Sequence, residues 1–352
     1  MRFCSTRRGR VVAFLFPALL AAAAAFAAEP GNSYHRRNLV SDGGVPAEHV
    51  DADLINGWGL AASASGPWWV NAADSGKSLL YNGEGIKNSL IVSVPGAPTG
   101  IVFNGGPRFV IPSVGAARFL FASEDGTISA WSPSLVPNTQ AVVVVDNSAS
   151  EASYKGLAID STSAGTRLYA ADFHNARVDV FDGAFAAVTT AGAFTDPNLP
   201  AGYAPFGIQT LAGSVFVAYA LQDEEGEEEV AGPGLGVVDK YDLDGRLIAR
   251  VATGGALNAP WGMALAPAGF GRFSGKLLVG NFGDGRINTF DPVTFEPQGH
   301  LKGAKSGRPI VIDGLWGIAF GNGGTAGPAT TLYFAAGPED EEHGLFGRID
   351  PP

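Results

Sequence analysis

The sequence is short of cysteine, of charge and of long apolar runs, and each shortage excludes a class of protein. One cysteine, Cys4, stands in 352 residues. Beyond it the chain can form no disulfide, no thiolate metal site and no cysteine nucleophile. Charged residues make up only 16%, against about 25% in an average globular protein. That excludes a coiled coil or a charged helical bundle. Bulk disorder is excluded as well, because 46% of the residues are hydrophobic and can supply a core. After the N-terminal segment no stretch is long and apolar enough to span a membrane, which takes about 20 residues. Catalytic signatures are also missing: there is no Gly-x-Ser-x-Gly elbow and no His-Glu-x-x-His. The run Gly232-Pro233-Gly234-Leu235-Gly236 follows no clean strand and opens no helix, so it reads as a loop rather than a nucleotide fingerprint.

Glycine is plentiful, at 49 residues, and follows no three-residue period, which excludes collagen. The N-terminus carries Arg2, Arg7, Arg8 and Arg10, then the apolar run Val11 to Ala25, then Ala25-Phe26-Ala27. This is the pattern of a secretory signal cleaved after Ala27 or Ala28. Arg7-Arg8 leaves the twin-arginine and general routes both open. Cleavage leaves 19 basic against 34 acidic residues and moves the net charge from −11 to −15. Such a surface repels nucleic acid and anionic lipid. It suits cations, neutral sugars or a basic partner, and it also serves solubility alone.

One tetrad recurs along the chain: Trp58-Gly59-Leu60-Ala61, Trp261-Gly262-Met263-Ala264 and Trp316-Gly317-Ile318-Ala319. Degenerate copies are Thr99-Gly100-Ile101-Val102, Lys155-Gly156-Leu157-Ala158 and Phe206-Gly207-Ile208-Gln209. The glycines at 59, 100, 156, 207, 262 and 317 are separated by 41, 56, 51, 55 and 55 residues. After each copy come β-rich runs with period-two alternation, such as Arg177 to Phe181 and Arg286 to Phe290, joined by turn residues. Four short strands repeated at this spacing define a propeller blade. Glycine lets neighbouring inner strands approach near the axis, and the aromatic before it wedges between blades.

The sixth copy ends at its third strand, Leu345 to Asp350, whereas Asn38-Leu39-Val40-Ser41 precedes the first copy without an assignment. This segment is expected to supply the missing outer strand and latch the ring. The expected architecture is an all-β, six-bladed β-propeller. A signal peptide occupies 1–28 and one domain 29–352. Blades lie near 54–95, 96–146, 152–195, 201–252, 257–301 and 311–350, with the closing strand at 38–42.

The third copy, from Gly156 to Asp182, resembles an NHL repeat. The chain from about residue 37 to 350 is similar to a family of exported bacterial propellers. The matching segments are Asn38-Leu39-Val40-Ser41-Asp42, Leu54-Ile55-Asn56-Gly57-Trp58-Gly59-Leu60, Ala259-Pro260-Trp261-Gly262 and Gly314-Leu315-Trp316-Gly317-Ile318-Ala319-Phe320. The resemblance implies a propeller in the periplasm or outside the cell. It brings no catalytic residues with it. Some members carry a C-terminal exosortase sorting tail; this sequence ends at Pro351-Pro352, so anchoring by that route is not expected.

The five histidines, His35, His49, His174, His300 and His343, show no metal-ligand spacing. In a propeller, the loops before the inner strands share one face with the loops between second and third strands. That face is expected to gather Asp74, Ser123, Asp172, His174, Asn281 and Asp284 at the channel mouth. Oxygen ligands from several blades suit calcium, which takes six to eight, and His174 beside such a metal could activate water. The competing explanation is that the Asp and Asn residues cap tight turns. Two acidic runs, Asp223 to Glu229 and Glu339 to Glu342, fall on the same face and would concentrate negative potential there. Asp242-Leu243-Asp244-Gly245 lacks the distal Glu of a calcium loop and reads as a hairpin turn.

The function expected is a binding or scaffold module, monomeric, with a protein or glycan partner at the acidic face. It involves no nucleic acid and, after signal cleavage, no membrane span. The alternative is a divalent-metal-dependent, lactonase-like hydrolase with Ca2+ at Asp74, Asp172, His174, Asn281 and Asp284. A quinone-dependent oxidoreductase would need a cationic pocket, and no such cluster is present.

Overall fold

The computed structural model describes residues 1, 3, 31–162 and 165–352. The signal segment expected over 1–28 lies, apart from Met1 and Phe3, outside the described residues. Among the described residues no helix is long and apolar enough to cross a membrane.

Six small sheets, antiparallel except for the short edge strand His49–Val50 of blade 6, form a six-bladed β-propeller. The inner strands are Gly57–Ala62, Pro98–Phe103, Tyr154–Thr162, Tyr203–Leu211, Pro260–Leu265 and Leu315–Phe320. Each touches the inner strands on both sides, and the last touches the first, so the ring closes. The repeated glycine is required by this approach. A Cβ added to Gly207 would stand 2.1 Å from the Trp261 carbonyl oxygen, and one on Gly317 2.9 Å from that of Trp58. At Gly207 the obstruction is the backbone of the residue before the next blade's glycine; at Gly317 the Leu60 side chain, at 2.4 Å, is nearer still.

Blade 6 takes its outer strand from the N-terminus. His35–Ser41 pairs antiparallel with Leu345–Asp350, in the register His35↔Asp350 to Ser41↔Leu345. Leu39 and Val40 are buried with Leu54, Trp68, Tyr81 and Phe346. Just before them, Tyr34 is buried in blade 5 and donates to the Phe270 carbonyl at 2.9 Å. The expected closing strand is therefore present and begins three residues earlier than the sequence suggests.

Blade 3 departs from the four-stranded pattern. Among the described residues its sheet holds only Tyr154–Thr162, Gly165–Asp172 and Arg177–Asp182. Where a fourth strand would follow, Phe181 bridges to Ala187 and the Val188 amide donates to Val180 at 2.8 Å. The segment then leaves the sheet. Phe185, Ala193 and Phe194 have positive φ, and Pro197 and Pro200 have no amide to donate to a ladder. Blade 4 holds it instead: Arg250 pairs with Asp196 and, at 2.5 Å, with buried Asp239.

Candidate functional site at the upper channel mouth

The inner strands all begin on one face of the disc, here the upper face. The six residues preceding the repeat glycines, Trp58, Thr99, Lys155, Phe206, Trp261 and Trp316, meet there around the axis. Trp316 is the hub. Its ring stacks on Trp58 with centroids 3.8 Å apart and on Phe282 at 4.2 Å, and meets Trp261 edge-on at 5.9 Å. With Phe173 and Phe206 these rings make one buried cluster that plugs the channel. The indole nitrogens of Trp58 and Trp316 are buried and have no hydrogen-bond partner. Such orphaned groups are costly and mark a place where another polar atom belongs.

Lys155 is the one charged member of this ring. Its side chain is 2% exposed, and its ammonium lies 5.5 Å from the Trp58 ring centroid. It pairs with Glu124, from the second-to-third-strand loop of blade 2, and at 3.4 Å with Glu228 of blade 4. Burial alone would lower its pKa, but Glu124 and Glu228 raise it above the ordinary lysine value. The Trp261 indole donates to the Lys155 carbonyl at 3.0 Å and fixes the backbone.

Two further carboxylates complete the cluster. Glu229 of blade 4 is pushed up to about 8 by burial, against the pull of Lys155, and its Oε2 has no partner. Glu341 of blade 6 is raised to about 7, again chiefly by burial. The Asn56 side-chain amide donates to it at 2.5 Å. The backbone that presents these groups is strained: Asn56, Glu339, Asp340 and Glu341 all have φ between 48° and 69°. A cavity of about 440 Å³ opens above Lys155, Glu124 and Glu228, with His174 in its wall.

The residues singled out for calcium lie on this face but bond locally. Asp172 accepts from the amides of Ser153 and Asn175, from the Asn175 side chain at 2.9 Å, and pairs with Arg177 at 3.2 Å. Asn281 donates to Asp284 at 3.0 Å within one turn of blade 5. Asp74 accepts from Asn56 at 3.3 Å. Ser123 donates to the Pro95 carbonyl at 3.0 Å. His174 stands 3.8 Å from Glu151. The structure thus brings Asn281 and Asp284 together and gives Asp172 a turn-capping set. Among the described residues, no three His, Cys, Asp or Glu side chains have the spacing to hold a metal ion.

Sequence reasoning passed over Lys155, Glu124 and Asn56 as site residues. Lys155 was visible as a break in the series of wedge residues, a lysine where an aromatic or threonine stands elsewhere. The convergence of Glu124, Glu229 and Glu341 was not visible, because it depends on three blades being brought to one axis.

Fold and site together define a six-bladed propeller with a plugged channel and a carboxylate-lined upper mouth. The chain is 34% identical over 336 residues to "Uncharacterized protein L690" of Acanthamoeba polyphaga mimivirus, covering 88% of this chain and 84% of that protein. It is 32% identical over 335 residues to "Uncharacterized protein R648" of the same virus, covering 88% and 78%. It belongs to the family of these proteins. The relatives found are therefore viral, not the bacterial ones the sequence resemblance suggested. No family model matches the chain. Among solved structures it is similar in fold to a Bacteroides thetaiotaomicron protein of unknown function. There the TM-score is 0.55 at 12% identity, covering 92% of this chain and 73% of that one. A streptogramin B lyase gives a TM-score of 0.50 at 12% identity, covering 90% and 97%. At these identities the likeness is one of fold.

Proposed function

We propose that this protein is an exported, non-enzymatic binding module that acts as a monomer and takes a positively charged protein or glycan partner at its upper face. One observation carries the reading: four carboxylates face a single lysine at a mouth whose floor is sealed by aromatic rings. A plugged channel supports capture from one side rather than passage. Around it, exposed Glu224, Glu225 and Glu227 extend the negative field outward, which steers cationic partners and weakens with salt. Export rests on the N-terminal basic and apolar pattern.

The test is binding to arrays of basic peptides and amino-glycans at low salt. The wild type is compared with a Glu224→Gln, Glu225→Gln, Glu227→Gln variant. Retention by the wild type and loss in the variant support the reading; binding that ignores the substitutions contradicts it. The alternative, a hydrolase with calcium at Asp74, Asp172, His174, Asn281 and Asp284, is tested by melting the protein with chelator and with calcium. A rise of several degrees with calcium favours it, because ligand binding to the native state stabilises by mass action.

A further inference from the structure

We infer that the upper mouth holds a specific site for a primary ammonium group, in which Glu229 and Glu341 are the counter-ions and Lys155 occupies the neighbouring position as a built-in cation. The inference rests on the binding-module reading and gives it a chemical class. Lys155 shows how an ammonium is received here: it lies over the Trp58 ring and between Glu124 and Glu228. Those two carboxylates and Lys155 satisfy one another. Glu229 and Glu341 feel Lys155 only through space, and among the described residues no further cation pairs with either. Glu229 Oε2 is buried and unpartnered, and the buried Asn56 Oδ1 beside Glu341 is unpartnered too. Orphaned acceptors call for a donor, and an ammonium brings three donors and one positive charge.

The charge balance is explicit. Burial favours the protonated forms of Glu229 and Glu341 near neutral pH. An arriving ammonium keeps its own protons. The carboxyl it pairs with loses one, which passes to buffer. The charged groups acting on the pair are Lys155 from blade 3, Glu124 from blade 2 and Glu228 from blade 4, and the Asn56 side-chain amide ties Glu341 to Asp74 of blade 1. The proton released on pairing is the one that burial holds on Glu229 or Glu341. The shared chemistry of lysine side chains and amino sugars is this ammonium group.

Calorimetric titration of the full chain tests the inference, in buffers of differing ionisation enthalpy at about pH 6 and about pH 8. The probes are Nα-acetyl-lysine amide, a glucosamine trimer and calcium chloride. Binding of either amine with proton release is expected, and the tighter amine identifies the source. Glu229→Gln should weaken it by about tenfold or more and reduce the release, as expected for loss of a charge-assisted bond. Glu296→Gln, at an exposed position on the opposite face, should leave affinity unchanged. No amine binding overturns the inference, as does equal affinity in Glu229→Gln, or a proton-linked response to calcium alone. If the amines fail while array binding still depends on Glu224, Glu225 and Glu227, the ammonium site falls and the binding-module reading stands.

Discussion

The two ends of the channel are built by the same six strands, yet their chemistry is opposite. The upper mouth places Lys155 among glutamates above a floor of aromatic rings. The lower mouth, a cavity of about 250 Å³, carries no charge: apolar side chains such as Leu60, Val102, Phe103, Ile159 and Phe320 line it together with the neutral Gln209, Thr210 and Asn322. Between them the channel narrows to about 40 Å³. The difference comes from what reaches each end. Inner strands deliver β-forming, mostly apolar side chains all along their length. Only the upper face also receives the second-to-third-strand loops, and these carry Glu124, Glu229 and Glu341. In this fold the strands seal the axis and the loops confer charge on it.

The largest expected effect comes from removing what holds both mouths in place. Deleting residues 31–43 removes the outer strand of blade 6 and the burial of Tyr34, Leu39 and Val40. At roughly 1.5–3 kcal/mol per large apolar side chain, this approaches the ~5–15 kcal/mol net stability of a domain. Circular dichroism should show loss of the cooperative melt, and an unchanged melt would refute the latch. Next is Trp316→Ala, which takes out the hub between the mouths. About 3–5 kcal/mol is expected from truncating a buried aromatic, read as a lower midpoint in urea. A midpoint equal to wild type would mean that the plug is not a packed core.

Lys155→Met sharpens the contrast by making the upper mouth wholly anionic. Glu124 and Glu228 lose their cation. Both are partly solvated, so the cost falls below the ~3–5 kcal/mol of a fully buried pair. The loss should be larger at pH 8 than at pH 5, where burial keeps Glu229 and Glu341 protonated and fewer charges face the missing ammonium. Equal losses at the two pH values would remove Lys155 from the charge balance. The smallest effect is a slope. Burial raises Glu229 to about 8 and Glu341 to about 7. The folded state therefore holds these protons more tightly than the unfolded chain. Their stabilisation is complete below about pH 4.5 and is lost as pH rises through about 7 to 8. Melting temperature should fall across that window, and Glu229→Gln should flatten part of the fall. A melting temperature that rises from pH 5 to pH 8 would contradict the sign.

Much of the fold was legible because its constraint is repeated. The six glycines recur wherever inner strands touch, and Asn38-Leu39-Val40-Ser41 stood out as an unassigned run beside a blade missing one strand. Blade 3 was less legible: Pro197 and Pro200 mark the end of pairing, but Phe185, Ala193 and Phe194 take positive φ without being glycine, so the start of the break carries no glycine signal. The site was legible as a face but not as a set of residues. Asp172, Asn281 and Asp284 are short side chains at turns and bond to the turns that carry them. The Asn56–Glu341 contact joins residues 285 apart in sequence, which only the closed ring brings together.

The most direct test follows the indole N–H signals of the six tryptophans by NMR while Nα-acetyl-lysine amide is added. Trp68 and Trp131 already donate to Ala326 and Asn138 at 2.8 and 2.7 Å, away from the upper mouth. The account predicts that Trp58, Trp261 and Trp316 shift while Trp68 and Trp131 stay. Movement of Trp68 at the lower mouth, with Trp58 and Trp316 unmoved, would contradict it.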